Sequence, residues 1–207
     1  VLAAVLCACS AAPKDVLPNK AAQPTEAPTQ QAQTTQAAPT EQPTPEPDLV
    51  QQLLEEMTLE QKVGQLFLVR PDSLDLSQTQ DQINDAKADG VTELTDAMRQ
   101  TLAEYPVGGV VIFGKNLESP QQITQFLDDL QQASDTPLFT AIDEEGGLVA
   151  RLANNAAFDL PQYESAAAVG TYGNPEDARA MGRTIGGYLK EYGFNLDFAP
   201  GSMAASI

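Results

Sequence analysis

The chain has 207 residues, and its 29 Asp and Glu against 11 Lys and Arg give it a formal net charge of −18. Such an acidic chain repels phosphate backbones, which argues against nucleic-acid binding. It has no histidine, and its two cysteines are Cys7 and Cys9, so we predict no structural zinc site and no other metal or cofactor.

Residues 1–9 (VLAAVLCAC) are apolar and rich in small residues, but they are fewer than the roughly 20 residues that span a bilayer. The pattern is typical of the end of a signal peptide, and we expect the sequence to begin inside that signal. Residues 6–9 resemble a bacterial lipobox in which Cys9 carries the lipid. We therefore predict an extracytoplasmic protein, anchored to the membrane at the bacterial cell surface through Cys9. An ordinary secretory signal is the alternative.

Residues 10–47 consist mainly of Ala, Pro, Thr and Gln, with almost no large apolar side chains. Such a segment buries too little apolar surface to offset the entropy lost on ordering, so we predict a disordered linker. The folded part is predicted to extend over residues 48–207.

Beyond the linker, short apolar strands alternate with amphipathic helices. Helical periodicity and capping residues predict helices over 49–57, 59–66 and 92–104, and two more that begin after Ser119 and Asn174. Gly193 is predicted to end the last helix. Strands are predicted over 66–69, 107–113, 138–142 and 194–198. This alternation indicates an α/β fold with a parallel sheet and crossover helices.

The most distinctive stretch, residues 143–151 (DEEGGLVAR), follows the third predicted strand. An acid that emerges from a buried strand, followed by two glycines and an arginine, indicates a polar site on a rigid support rather than a solvated turn. Gly146 and Gly147 would let this loop fold back and bring Arg151 towards Asp143.

Four segments occur in the order and spacing of one enzyme family. They are residues 57–66 (MTLEQKVGQL), 108–113 (GGVVIF), 142–147 (IDEEGG) with Arg151, and 195–200 (NLDFAP). In these segments the chain resembles the family 3 glycoside hydrolases, and most closely their β-N-acetylhexosaminidase branch. The resemblance implies a (β/α)8 TIM barrel whose site lies at the carboxyl ends of the strands. It also implies retaining hydrolysis of terminal β-linked N-acetylglucosamine from peptidoglycan or chitin fragments.

The resemblance also implies roles for two residues of the loop. Asp143 corresponds to a ligand of sugar hydroxyls, and Arg151 corresponds to an arginine that lines the same pocket. The chemistry agrees, because a carboxylate accepts hydrogen bonds from neighbouring hydroxyls and a guanidinium donates several. The alternative is that Asp143 and Arg151 form an ion pair that only stabilises the loop.

Structural roles are expected for most neighbouring polar residues. One of Glu144 and Glu145 is expected to accept hydrogen bonds from loop amides while the other faces water. A cation site built from these contiguous acids is disfavoured, because they lack further oxygen ligands. A turn or cap role is expected for Lys115 and Asn116, with an approach to the sugar as the alternative, and mainly structural roles are expected for Asn195 and Asp197.

No catalytic residue is assigned within the chain. Retaining hydrolysis needs a nucleophile and an acid/base, which the resemblance implies are an aspartate on a late strand and a histidine, both beyond residue 207. We therefore expect an incomplete chain holding only the amino-terminal half of a barrel of roughly 250 residues. Alone, it should be marginally stable or aggregate, and should not hydrolyse glycosides. A family 3 β-glucosidase and a non-catalytic saccharide-binding lipoprotein remain the alternative functions.

Overall fold

A computed structural model describes residues 48–200 of the chain. The predicted signal region with Cys9, the predicted linker and the last seven residues lie outside the described part. Within that part, no helix is both long enough and apolar enough to cross a membrane.

The described residues contain seven α-helices and six strands. The helices are α1 (Leu49–Glu56), α2 (Leu59–Gly64), α3 (Gln80–Asn84), α4 (Asp96–Glu104), α5 (Pro120–Ala133), α6 (Ala166–Thr171) and α7 (Pro175–Glu191). The strands are β1 (Leu68–Val69), β2 (Gly109–Ile112), β3 (Phe139–Ile142), β4 (Glu144–Gly146), β5 (Val149–Ala150) and β6 (Leu196–Asp197). Single 3-10 turns, Pro71–Leu74 and Gly114–Asn116, follow β1 and β2.

Four of the strands form a parallel sheet in the order β1-β2-β3-β6. Helical connections join each strand to the next, as parallel pairing requires. The predicted α/β class with a parallel sheet is therefore confirmed. Within residues 48–200 the sheet is open, with β1 and β6 at its edges, and β4 and β5 form a separate antiparallel hairpin.

The predicted capping residues begin and end the helices for the expected reasons. The side chains of Asp48, Ser119 and Asn174 each accept a hydrogen bond from a backbone N–H in the first turn of their helices. Thr58 forms a complete capping box at the start of α2. Gly193 follows α7 with a φ of 94°, a conformation that glycine adopts without strain.

Some predicted bounds were wrong. The helix predicted over 92–104 begins at Asp96, because the hydroxyl of Thr95 accepts a hydrogen bond from the N–H of Met98 and so caps the helix there. The predicted strands are also shorter in the structure, because regular pairing begins or ends one or two residues inside each apolar run. Helix α3 lies in a polar segment for which no helix was predicted.

The core lies between the sheet and its crossover helices. Its completely buried members include the following residues of α5 and the strands: Ile123, Phe126, Leu127, Leu130, Val110, Ile112 and Ile142. Apolar side chains are exposed near the open edge at β1, where Leu66 is 79% and Phe67 55% exposed. Apolar grooves lie beside both edges, one of about 540 Å³ at β1 and one of about 490 Å³ at β6.

Candidate functional site

A polar and aromatic cluster lies at the carboxyl end of the parallel sheet. Arg70 directly follows β1, Phe113 follows β2, and Asp143 follows β3. Because the strands are parallel, these three residues lie at the same end of the sheet, where the strands finish. Arg151 reaches this cluster and places its Nη2 atom 3.1 Å from Oδ2 of Asp143. The predicted approach of Arg151 to Asp143 is therefore confirmed, while their contact with a sugar stays a prediction.

The segment that connects Asp143 and Arg151 is a hairpin rather than the irregular loop predicted. Strand β4 pairs with β5, in the register Glu144 to Ala150. The chain reverses at Gly146 and Gly147, with φ values of 83° and 64°, a region in which side chains are strained. The hairpin thus returns the chain to the sheet and sets Arg151 beside Asp143.

Glu144 is the glutamate that bonds to backbone amides. It is completely buried, and its two carboxylate oxygens accept hydrogen bonds from the N–H groups of Leu152 and Ala153 at 2.8 and 2.9 Å. The prediction that one of the two glutamates has this role is confirmed. Glu145 is partly buried rather than fully exposed, and it lines the groove beside β6.

Phe113 lies close to two guanidinium groups. The Cζ atom of Arg70 lies 4.2 Å from the centre of the ring, and that of Arg151 lies 5.7 Å from it. At such distances the face of the aromatic ring attracts the cation. Sequence reasoning overlooked Arg70 and Phe113, although Arg70 directly follows the predicted strand 66–69 and Phe113 is the last residue of the predicted strand 107–113. That position was the available signal.

Lys115 and Asn116 have the structural role that was expected. Both contact the buried carboxylate of Asp72: Nζ of Lys115 lies 3.2 Å from Oδ1, and Nδ2 of Asn116 donates to Oδ2 at 3.0 Å. A further hydrogen bond reaches Asp72 from the N–H of Val91. Removing either charge would leave the other buried without its partner, which is strongly destabilising. These contacts lock together the segments that follow β1 and β2.

Asn195 and Asp197 have structural roles, as expected, because they attach β6 to residues within and beside β3. The side-chain oxygen of Asn195 accepts from the N–H of Thr140 at 2.8 Å, and its amide donates to the carbonyl of Leu138. Oδ1 of Asp197 accepts from the N–H of Glu144 at 3.0 Å. Glu144, the first residue of the hairpin, is therefore attached to β6.

Burial raises the pKa of Asp197 to about 6, and the negative charges of Glu144, Asp143 and Glu145 contribute to the increase. The hydrogen bond from the Glu144 amide acts in the opposite direction but does not cancel them. Because the folded state holds this proton more tightly than the unfolded state, Asp197 contributes less to stability as the pH rises from about 4 to 6.

We expect Asp197→Asn to be more favourable for stability at pH 7.5 than at pH 4. The amide oxygen can still accept from Glu144, whereas the disfavoured charge is lost. The difference between the two pH values should be about 1–2 kcal/mol, less than the full pKa shift implies because the carboxyl is only partly buried. Denaturant titrations at both pH values measure it, and Asp128→Asn controls for removing one negative charge. An equal effect of Asp197→Asn at both pH values would contradict this account.

The guanidinium of Arg151 is incompletely satisfied. Its Nε atom is buried and has no hydrogen-bond acceptor among the residues that the structure describes. A buried donor without a partner costs about 1–3 kcal/mol. Such a group calls for a specific explanation, such as strain, a catalytic role, or a bound water or ion.

The profile of the "Glycosyl hydrolase family 3 N terminal domain" matches residues 58–202, which is well over half of the chain. The chain belongs to glycoside hydrolase family 3. Its described helices and strands accord with that family's amino-terminal domain, and the matched region contains Asp143, Arg151 and the hairpin between them.

Relatives within family 3 are hexosaminidases by name. β-Hexosaminidase A of Pseudoalteromonas piscicida is 34% identical over 117 residues, which cover 53% of this chain and 19% of that protein. A β-hexosaminidase of Thiobacillus denitrificans is 32% identical over 113 residues, covering 53% of this chain and 31% of the relative. A solved family 3 β-N-acetylglucosaminidase from Paenibacillus sp. str. FPU-7 has a TM-score of 0.55 and 32% identity, and the match covers 70% of this chain and 24% of that one. The chain thus spans less than a third of the length of these relatives.

In residues 48–200, no three His, Cys, Asp or Glu side chains converge as a metal site would require. Both carboxylate oxygens of Glu144 already accept hydrogen bonds from protein donors. Asp143 and Arg151 offer hydrogen-bond acceptors and donors at the carboxyl end of the sheet.

Proposed function

We propose that this chain supplies part of the sugar-binding site of a retaining β-N-acetylhexosaminidase that acts on terminal N-acetylglucosamine. The observation that carries the proposal is the pairing of Asp143 and Arg151 at 3.1 Å, at the carboxyl end of the parallel sheet. In barrel enzymes of this kind the strands present their binding groups at that end. The names of the relatives in family 3 support the choice of N-acetylglucosamine.

The two side chains are complementary to a sugar ring. The carboxylate of Asp143 accepts hydrogen bonds from adjacent hydroxyls, and the guanidinium of Arg151 donates to hydroxyl oxygens. Their side chains are 24% and 33% exposed, respectively, so a ligand at the rim can reach both. Phe113 and Arg70 extend the same rim and place an aromatic face beside the pair.

A purely structural ion pair is the weaker interpretation. A partly exposed pair contributes about 0–1 kcal/mol to stability. This gain is smaller than the cost of about 1–3 kcal/mol for the buried Nε donor of Arg151, which lacks an acceptor among the described residues. We assign no catalytic residue within residues 1–207, so Asp143 and Arg151 hold the sugar and do not break its glycosidic bond.

The test uses the polypeptide expressed from the complete open reading frame of which residues 1–207 are a part. We call this polypeptide the complete product. We expect the complete product to hydrolyse a chromogenic β-N-acetylglucosaminide with a kcat/KM at least about 100-fold higher than for the matching β-glucoside, because a site built to hydrogen-bond the acetamido group discriminates against its absence. Preference for the glucoside would favour a β-glucosidase. Binding of N-acetylglucosamine with no turnover would favour a non-catalytic saccharide-binding protein.

We also propose that the protein is anchored to the outer face of a bacterial membrane through a lipid on Cys9. The apolar run of residues 1–9 and the lipobox-like residues 6–9 support this location, which would bring the site to peptidoglycan sugars. Metabolic labelling with a fatty acid is expected to mark the complete product in a bacterial host. Labelling should be lost in Cys9→Ser and kept in Cys7→Ser. Equal labelling of both variants would contradict the assignment of Cys9.

A further inference from the structure

The carboxylate of Glu144 joins the two ends of the hairpin that carries the sugar-binding pair. Glu144 directly follows Asp143, and its oxygens accept hydrogen bonds from Leu152 and Ala153, which directly follow Arg151. The side chain is completely buried. The two short bonds, of 2.8 and 2.9 Å, therefore link the backbone at Asp143 to the backbone at Arg151.

Two further hydrogen bonds fix Glu144 to the rest of the fold. The hydroxyl of Tyr188, on α7, donates to Oε1 of Glu144 at 2.8 Å. Burial, and then the hydrogen bond with Glu144, raise the pKa of Tyr188, so the phenol remains protonated and able to donate. The backbone N–H of Glu144 donates to Asp197 at the end of β6. Residue 144 is thus held by the hairpin, by the crossover helix and by the sheet.

We infer that Glu144, supported by Tyr188, is a positioning residue that sets the distance between Asp143 and Arg151 before the sugar arrives. The inference rests on the proposed sugar-binding function. A carboxylate suits this place because it only accepts hydrogen bonds. Its three partners, two backbone N–H groups and the hydroxyl of Tyr188, all donate. Bonds to a charged acceptor are shorter and stronger than bonds between neutral groups, so the hairpin is held rigidly.

The decisive variant is Glu144→Gln, which keeps the shape of the side chain. Whichever way the amide is turned, its NH2 group faces the N–H of Leu152 or of Ala153, so one bond is replaced by a contact between two donors. We expect the affinity of the complete product for N-acetylglucosamine to fall by roughly 10-fold. Tyr188→Phe removes only the hydroxyl and should lower the affinity by about two- to five-fold.

A second readout is independent of sugar binding. The side-chain Nε–Hε NMR signal of Arg151 can be assigned because it is missing from the spectrum of Arg151→Lys. In the unliganded protein, we expect this signal to shift and broaden in Glu144→Gln, and to move less, in the same direction, in Tyr188→Phe. Tyr192→Phe is the matched control, because the Tyr192 ring packs on Phe158, which lies outside the hairpin.

Each outcome separates this inference from the proposed function. A folded Glu144→Gln variant with wild-type affinity and a wild-type Arg151 signal overturns the inference, and the proposed function survives if Asp143→Ala weakens binding. If Glu144→Gln does not fold, Tyr188→Phe decides, and wild-type behaviour in both readouts overturns the inference. If the wild-type protein does not bind N-acetylglucosamine, the proposed function fails, and the Arg151 signal still tests the positioning.

Discussion

Replacing Asp143 by alanine is expected to lower the affinity of the complete product for N-acetylglucosamine by roughly 10- to 100-fold, because hydrogen bonds to a charged group contribute about 1.5–3 kcal/mol. The free energy of unfolding should fall by less than about 1 kcal/mol, since the pair with Arg151 is partly exposed and such pairs contribute little to stability. Isothermal titration calorimetry and denaturant unfolding measure the two quantities.

A matched control for Asp143→Ala is Asp129→Ala. Asp129 lies on α5, and its Oδ1 atom is 4.0 Å from Nη2 of Arg99, in a pair of comparable exposure. This variant should cost a similar small amount of stability and leave the affinity unchanged. If Asp143→Ala behaves like Asp129→Ala in both measurements, the pair with Arg151 is only structural.

The second large effect is expected at the tip of the hairpin, where Gly147→Ala should lower the free energy of unfolding by about 2–5 kcal/mol. An added Cβ atom would lie 2.0 Å from the carbonyl oxygen of Glu164, so the backbone has to move. The φ of 64° adds the strain that a side chain suffers in the left-handed region. The displaced tip would also weaken the hydrogen bond from the N–H of Gly147 to the carbonyl of Tyr163.

Gly173→Ala separates the two causes. Gly173 has nearly the same φ, 68°, but nothing lies within 4 Å of the position that its Cβ would occupy. We expect it to cost only the conformational strain, about 1–2 kcal/mol. Denaturant unfolding of both variants gives the difference. Equal losses would show that contact with Glu164 does not restrict the hairpin.

The elements that could be predicted from the sequence depend on neighbours along the chain. Apolar runs of strand length, amphipathic helices and capping residues such as Thr58 act within a few residues, so local patterns were enough. The approach of Arg151 to Asp143 was predictable for the same reason, because only seven residues lie between them and the two glycines allow the chain to reverse within that short distance. The boundaries of the strands were less predictable, because they depend on where a neighbouring strand begins to pair.

The contacts that escaped prediction join distant parts of the chain. Asn116 and its partner Asp72 are 44 positions apart, as are Tyr188 and Glu144. Nothing near Asp72 indicates that its carboxylate is buried, since the preceding Arg70 and the polar residues after it suggest an exposed turn. Such pairs follow only from the way α7 and the segments after β1 and β2 pack on the sheet.

The most direct test of the central claim is a crystal structure of the complete product with N-acetylglucosamine bound. We predict that hydroxyl oxygens of one sugar ring lie about 2.7–3.2 Å from both the carboxylate of Asp143 and the guanidinium of Arg151. A sugar bound elsewhere, with both side chains still paired only to each other, would contradict the account.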